Sequence, residues 1–116
     1  MKDGHRISYD KLLLANGEKF LWIDHNIMNL NNILTLSSKA DQHRVKELSL
    51  TSKEIVIVGD GLANNEIASS LAAALKGKSN VTLICDKESP IEKRFGKEVN
   101  EMIKGWHQSN GVKVIV

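Results

Sequence analysis

A chain of 116 residues, 41% hydrophobic and 26% charged, is sized for one domain or part of one and is too apolar to remain disordered. Its net charge of +2, with acids interleaved among the bases, leaves no basic footprint, which argues against nucleic acid or an acidic membrane as a partner. Aromatic residues make up only 4%, so a core must come from Leu, Ile, Val and Ala.

The single cysteine, Cys85, rules out an internal disulfide and favours a reducing compartment, cytoplasmic or mitochondrial. Apolar runs as short as Leu71–Leu75 fall far below the ~20 residues of a membrane helix. The polar start (Lys2, Asp3, His5, Arg6) does not read as a signal peptide. His5, His25, His43 and His107 are scattered and fit no metal-binding spacing, so no metal site is expected. Trp22 and Trp106 read as packing residues.

In chain order, Asp3-Gly4 is a turn signal, and Leu12-Leu13-Leu14-Ala15 reads as a short buried strand ending at Asn16-Gly17. Residues 18–31 have no clear period and read as loop. Ile33 to Leu36 is a second short strand candidate. Ser38 with Asp41 fits a capping box opening a surface helix that runs to about Leu48. Ile55-Val56-Ile57-Val58 is β-branched throughout, the pattern of a parallel strand buried on both faces. Residues 62–76 lack Gly and Pro and predict a helix with Ile67, Leu71, Ala74 and Leu75 facing inward and Gly77 as its cap. Val81 to Ile84 predicts another strand, and Pro90 a loop. Residues 96–108 read as a further helix, and Val112 to Val116 as a last strand. The alternation from residue 54 onward is that of an α/β fold, a Rossmann-like parallel βαβαβ unit amounting to an incomplete domain.

The chemistry concentrates where the first β-branched strand meets Gly59-Asp60-Gly61. There Gly59 permits a tight turn, and Gly61 removes a side chain from the path of a pyrophosphate. The free N–H groups and dipole of the following helix favour the anion. The third position of the glycine pattern is Asn64, which is expected to crowd the helix–strand contact or push the helix outward. Asp86, at the end of the next strand with Glu88 close by, is the candidate acid for a ribose 2′-hydroxyl, an alternative to its being an ordinary solvated strand end. Lys87, Lys93 and Arg94 leave a 2′-phosphate open. Cys85 has no CxxC partner and reads as a small packing residue rather than a redox thiol.

Four segments, in order, resemble a known family. Tyr9-Asp10-Lys11-Leu12-Leu13-Leu14-Ala15-Asn16-Gly17 resembles the segment YDxLxxATG. Leu34 to Asp41 loosely resembles LxTxxDA. Ile55 to Ala68 is similar to the second glycine motif, GxGxxGxE, and Phe95-Gly96-Lys97-Glu98-Val99 to LGxEV. The family is that of the FAD/NAD(P)H pyridine nucleotide-disulfide oxidoreductases, in particular the apoptosis-inducing-factor-like and ferredoxin-reductase-like flavoproteins.

The resemblance implies that residues 1–31 are the tail of an FAD-binding domain with its connection and that residues 32–116 are part of an NAD(P)H-binding domain. It implies FAD and NAD(P)H as cofactors, with NADH ahead of NADPH, hydride transfer to flavin, and an electron-carrier protein among the acceptors. The chain alone, lacking a flavin pocket, is then expected to be inactive. Gly17 would lie near FAD. Gly59, Asp60, Gly61 and Leu62 would hold the dinucleotide, with Asp86 at the ribose and Glu66 on the nicotinamide side. Asn16, Asn64 and Cys85 depart from the family pattern, which keeps open a non-catalytic or degenerate dinucleotide-binding module.

Overall fold

The computed structural model describes residues 4–15, 17, 30–87 and 89–116. Expectations for Asp3, Asn16, residues 18–29 (Trp22 and His25 among them) and Glu88 lie outside the described residues. The chain divides into two compact units, one ending at Thr35 and the other comprising Leu36–Val116.

In the first unit no helix or strand occurs among the described residues. The strand expected at Leu12 to Ala15 is not formed, and Leu13 is 87% exposed. The strand expected from Ile33 is not formed either. There the Ile33 N–H closes a turn onto the Leu30 carbonyl at 3.2 Å. A strand exists only through its ladder, and neither apolar run has a ladder partner among the described residues. Gly17 has a φ of +86°, the left-handed conformation expected of a glycine closing a turn.

The second unit begins with helix α1 (Lys39–Thr51) and continues β1 (Glu54–Val58), α2 (Leu62–Leu75), β2 (Asn80–Ile84), α3 (Pro90–Phe95), α4 (Lys97–Ser109) and β3 (Val112–Ile115). The strands form a parallel sheet in the order β1-β2-β3, with Val58 opposite Ile84 and Ile84 opposite Ile115. Right-handed crossovers in that order place α2 and α4 on one face. The unit is the α/β, Rossmann-like arrangement anticipated from the strand–helix alternation.

The capping box is present. Ser38 Oγ accepts from the Asp41 N–H at 3.1 Å, and Asp41 Oδ2 accepts from the Ser38 and Ser37 N–H groups at 2.9 and 3.0 Å. The helix runs three residues beyond Leu48, to Thr51.

Ala68, Leu75, Val81, Leu83, Cys85 and Val112 form the core, flanked by Ile55, Ile57, Leu71, Ala72 and Val114. Each fully buried aliphatic side chain of this kind contributes roughly 1.5–3 kcal/mol. The inward stripe of α2 is thus Ala68, Leu71, Ala72 and Leu75, rotated from the expected set. Ala68 is completely buried, Ile67 only half-buried and Ala74 exposed. A methyl side chain at the helix–sheet contact lets the two backbones approach closely. The helix is closed by Lys76, at φ 48°, rather than by Gly77, which follows at φ 77°.

Two further expectations change. β1 is covered on one face only: Ile55 and Ile57 meet the core, while Val56 and Val58 are 56% and 58% exposed. A β-branched run records strand propensity and does not by itself say how many layers cover the sheet. The segment at Pro90 is a helix, not a loop. Pro90 starts it, where a missing N–H costs nothing, and Ser89 Oγ caps it by accepting from the Ile91 N–H at 3.2 Å. α3 is then fastened to α4: Ser89 Oγ donates to Asn100 Oδ1 at 3.2 Å, and Asn100 Nδ2 donates to Glu92 Oε2 at 3.0 Å.

Candidate dinucleotide site

The turn between β1 and α2 is set by backbone geometry. The Gly59 N–H donates to the Ile84 carbonyl at 2.9 Å, which extends the β1–β2 ladder one residue past the strand. Gly59 then takes a φ of +105°, a conformation that only glycine adopts readily. Gly61 is the N-cap of α2, with no side chain of its own to accept from the N–H groups that open the helix and no acid in the first turn. This contrasts with α1, whose N-terminus is satisfied by its own Ser38 and Asp41. An uncapped N-terminus after a glycine turn presents N–H groups and a positive dipole end to an anion.

The two glycines have different reasons. A Cβ on Gly59 would come within 2.9 Å of Asn64 Nδ2. At Gly61, φ is −62°, which suits any residue, and a Cβ would meet nothing closer than Asn64 Oδ1 at 3.8 Å, an ordinary contact. Packing therefore does not require glycine at 61, although the N-cap position favours it over most other residues. A glycine there leaves the backbone of the turn open to close approach.

Asn64 does not crowd the turn as expected. Its side chain lies against the hydrogen-only face of Gly59, and Nδ2 donates to the Val58 carbonyl at 2.8 Å. Asn65, which the motif leaves unspecified, is more heavily engaged. Its Nδ2 donates to the carbonyls of Asp60 and Gly61 at 2.8 and 2.9 Å, and its Oδ1 lies 2.7 Å from His107 Nε2 on α4. With the Asn65 amide already donating, its oxygen must accept, so His107 carries its proton on Nε2. His107 is 5% exposed, and burial holds its pKa below the usual imidazole value. Sequence pattern had given His107 no role. Its signal is spatial, a contact between residues 65 and 107 that no local motif encodes.

Leu62 and Glu66 line a groove of about 560 Å³ between α2 and the α3–α4 pair, together with Ser69, Ile91 and Trp106. Glu66 is exposed on α2. Asp86 is exposed just past β2, whereas Cys85, immediately before it, is buried. Burial pushes the Cys85 thiol up, and the nearby Asp60 carboxylate adds to the shift against an opposing effect of Lys104. Cys85 is therefore a packed thiol, in which burial and Asp60 outweigh Lys104 and disfavour the thiolate. Asp60 is itself 4% exposed, and its Oδ2 has no hydrogen-bond partner among the described residues. Gly17 belongs to the other unit and is exposed. Among the described residues no group of His, Cys, Asp and Glu is arranged to hold a metal ion, and no helix is long and apolar enough to cross a membrane.

Apoptosis-inducing factor 3 of Homo sapiens is 30% identical over 97% of this chain, which covers 18% of that protein. The ferredoxin–NAD(+) reductase component of the 3-phenylpropionate/cinnamic acid dioxygenase of Photorhabdus laumondii is 27% identical over 97% of the chain and 28% of its own length. Putidaredoxin reductase of Pseudomonas putida is 24% identical over 98% of the chain and 27% of its own length. The chain thus spans well under a third of each of these relatives. The family described as pyridine nucleotide-disulphide oxidoreductase matches residues 1–116, the whole sequence, and the chain belongs to that family of oxidoreductases.

Proposed function

We propose that this chain contributes the dinucleotide-binding turn of an FAD-dependent NAD(P)H oxidoreductase. Residues 1–31 would be the tail of its FAD-binding domain and residues 32–116 part of its NAD(P)H-binding domain. The observation that carries the reading is the turn itself: Gly59 at a φ of +105°, then Gly61 at an N-terminus of α2 that no side chain caps.

In this reading the N–H groups opening α2, around Gly59, Asp60, Gly61 and Leu62, receive the pyrophosphate. Asn65 and His107 keep the Asp60 and Gly61 carbonyls turned inward, so that the N–H groups are left for the anion. Glu66 stands toward the nicotinamide, while Gly17 belongs to the flavin side. Bound NAD(P)H and FAD would supply the hydride donor and acceptor, the protein providing position and electrostatics. An electron-carrier protein is the proposed acceptor, by analogy with relatives named for putidaredoxin and ferredoxin.

A second reading, a non-catalytic dinucleotide-binding module, draws on Cys85 at the end of β2, where the acid that selects NAD usually sits. The native mass and visible absorbance of the purified protein, followed by NADH titration, separate the two. A yellow protein much larger than 12.9 kDa whose flavin is bleached by NADH supports the oxidoreductase. A colourless protein that binds NADH supports the module. A colourless protein that binds no nucleotide contradicts both.

A further inference from the structure

A buried, ionisable oxygen without a donor is rare in proteins and calls for an explanation, because the group has lost water and gained nothing in return. Asp60 Oδ2 is such an atom. It lies between the two glycines of the turn, one residue ahead of the N-cap of α2, where the ladder bond from Gly59 to Ile84 holds the ends of β1 and β2 side by side. Proximity to β2 also shows in Cys85, the first residue past that strand, which feels the Asp60 charge. Lys104, whose charge also reaches Cys85, is engaged by Glu101 at 3.3 Å.

In dinucleotide folds of this kind, a carboxylate at the end of the second strand accepts from the ribose hydroxyls of NAD. Here that position holds Cys85, whose buried thiol is a poor acceptor, and the next acid, Asp86, is on the surface. A buried carboxylate is supplied instead by Asp60, in the turn that follows the neighbouring strand. Rotation about the last side-chain torsion of Asp is broad, so either oxygen can turn toward an incoming hydroxyl.

Building on the dinucleotide reading above, we propose that Asp60 takes the place of the missing strand-end acid, accepts a hydrogen bond from the adenosine ribose of the bound dinucleotide, and selects NADH over NADPH. A carboxylate there gains a donor from a 2′-hydroxyl and repels a 2′-phosphate. The orphaned oxygen is then the cost of the ligand-free state.

The test compares the native protein with Asp60→Asn, Asp60→Ala and Asp86→Asn, measuring NADH and NADPH affinity by titration and ligand-free stability by thermal unfolding. Removing the charge at 60 should weaken NADH binding about ten- to a hundred-fold, the usual effect of losing a hydrogen bond to a charged group. It should also narrow the NADH/NADPH ratio by a similar factor. The ligand-free protein should be no less stable in at least one of the two Asp60 variants, since an unsatisfied charge is gone. A purely structural Asp60 would show the opposite: lower stability, with the cofactor ratio unmoved. Unchanged NADH affinity and ratio in both Asp60 variants, or a ratio moved only by Asp86→Asn, overturns the proposal while leaving the dinucleotide reading intact. Failure of the unmodified protein to bind either nucleotide overturns both.

Discussion

Asn64 Nδ2 lies 2.9 Å from where a Cβ on Gly59 would stand and donates to the Val58 carbonyl at 2.8 Å, so the two residues behave as one steric unit at the mouth of the turn. The third glycine of the usual pattern is replaced by a side chain that uses the space left by the first.

Gly59→Ala should therefore destabilise the fold by roughly 2–3 kcal/mol, combining the clash with a φ of +105°. Asn64→Gly should cost about 1–2 kcal/mol, through the lost hydrogen bond and the added helix entropy. The double variant should be less damaged than the sum, because the clash disappears with Asn64. Denaturant unfolding of the four proteins checks this. Asn64→Gly should leave NADH affinity within about three-fold, since the Asn64 amide is already spent on the Val58 carbonyl and lies against Gly59.

His107 should impose a pH dependence on stability. Its folded pKa is lowered by burial, so as pH falls the unfolded chain takes up the proton first. Stability should decline from about pH 6.5 toward the folded pKa and level off below it. His107→Gln, which can still donate to Asn65 Oδ1, should flatten that slope. Unfolding at closely spaced pH values between 5 and 8 measures it.

The α1 capping box should appear on the acid side. Asp41 is held below the usual carboxylate range, first by the Ser37 backbone N–H and further by Ser38 and the Ser37 hydroxyl. A depressed carboxylate stabilises above its unfolded pKa, and that contribution is lost as pH falls through the folded value. Asp41→Asn should remove this acid transition. Ser38→Ala should cost about 1 kcal/mol at neutral pH. Helix content followed by circular dichroism from pH 2 to 5 is the measurement.

Asn100 is 2% exposed and bridges Ser89 to Glu92, so Asn100→Ala should loosen α3 from α4 at a cost of about 1–3 kcal/mol. Amide hydrogen exchange should show faster opening confined to residues 90–95.

The second half of the chain was legible in the sequence because its signals are local. β-branched runs, a glycine turn and the Ser38–Asp41 pair each specify their own neighbourhood. The strands expected in the first 36 residues were misread because a short apolar run says nothing about a ladder partner. Pro90 was misread as a loop because proline stops a helix from within but opens one at its first position. The glycine turn was found, but not the Asn65–His107 and Asp60–Cys85 relationships, which join residues far apart in sequence. The single-faced burial of β1 was equally hidden, since covering layers are a property of the assembled fold.

The most direct test of the central claim is NADH titration of the native protein beside its Gly61→Ala variant, with the unfolding temperature of each recorded without ligand. A Cβ at 61 meets no protein atom closer than 3.8 Å, so the fold should lose no more than about 1 kcal/mol, the preference of an N-cap for glycine over alanine, while NADH affinity should fall at least about ten-fold. Equal affinity in the two proteins would mean that no pyrophosphate approaches Gly61, and the dinucleotide site would have to be given up.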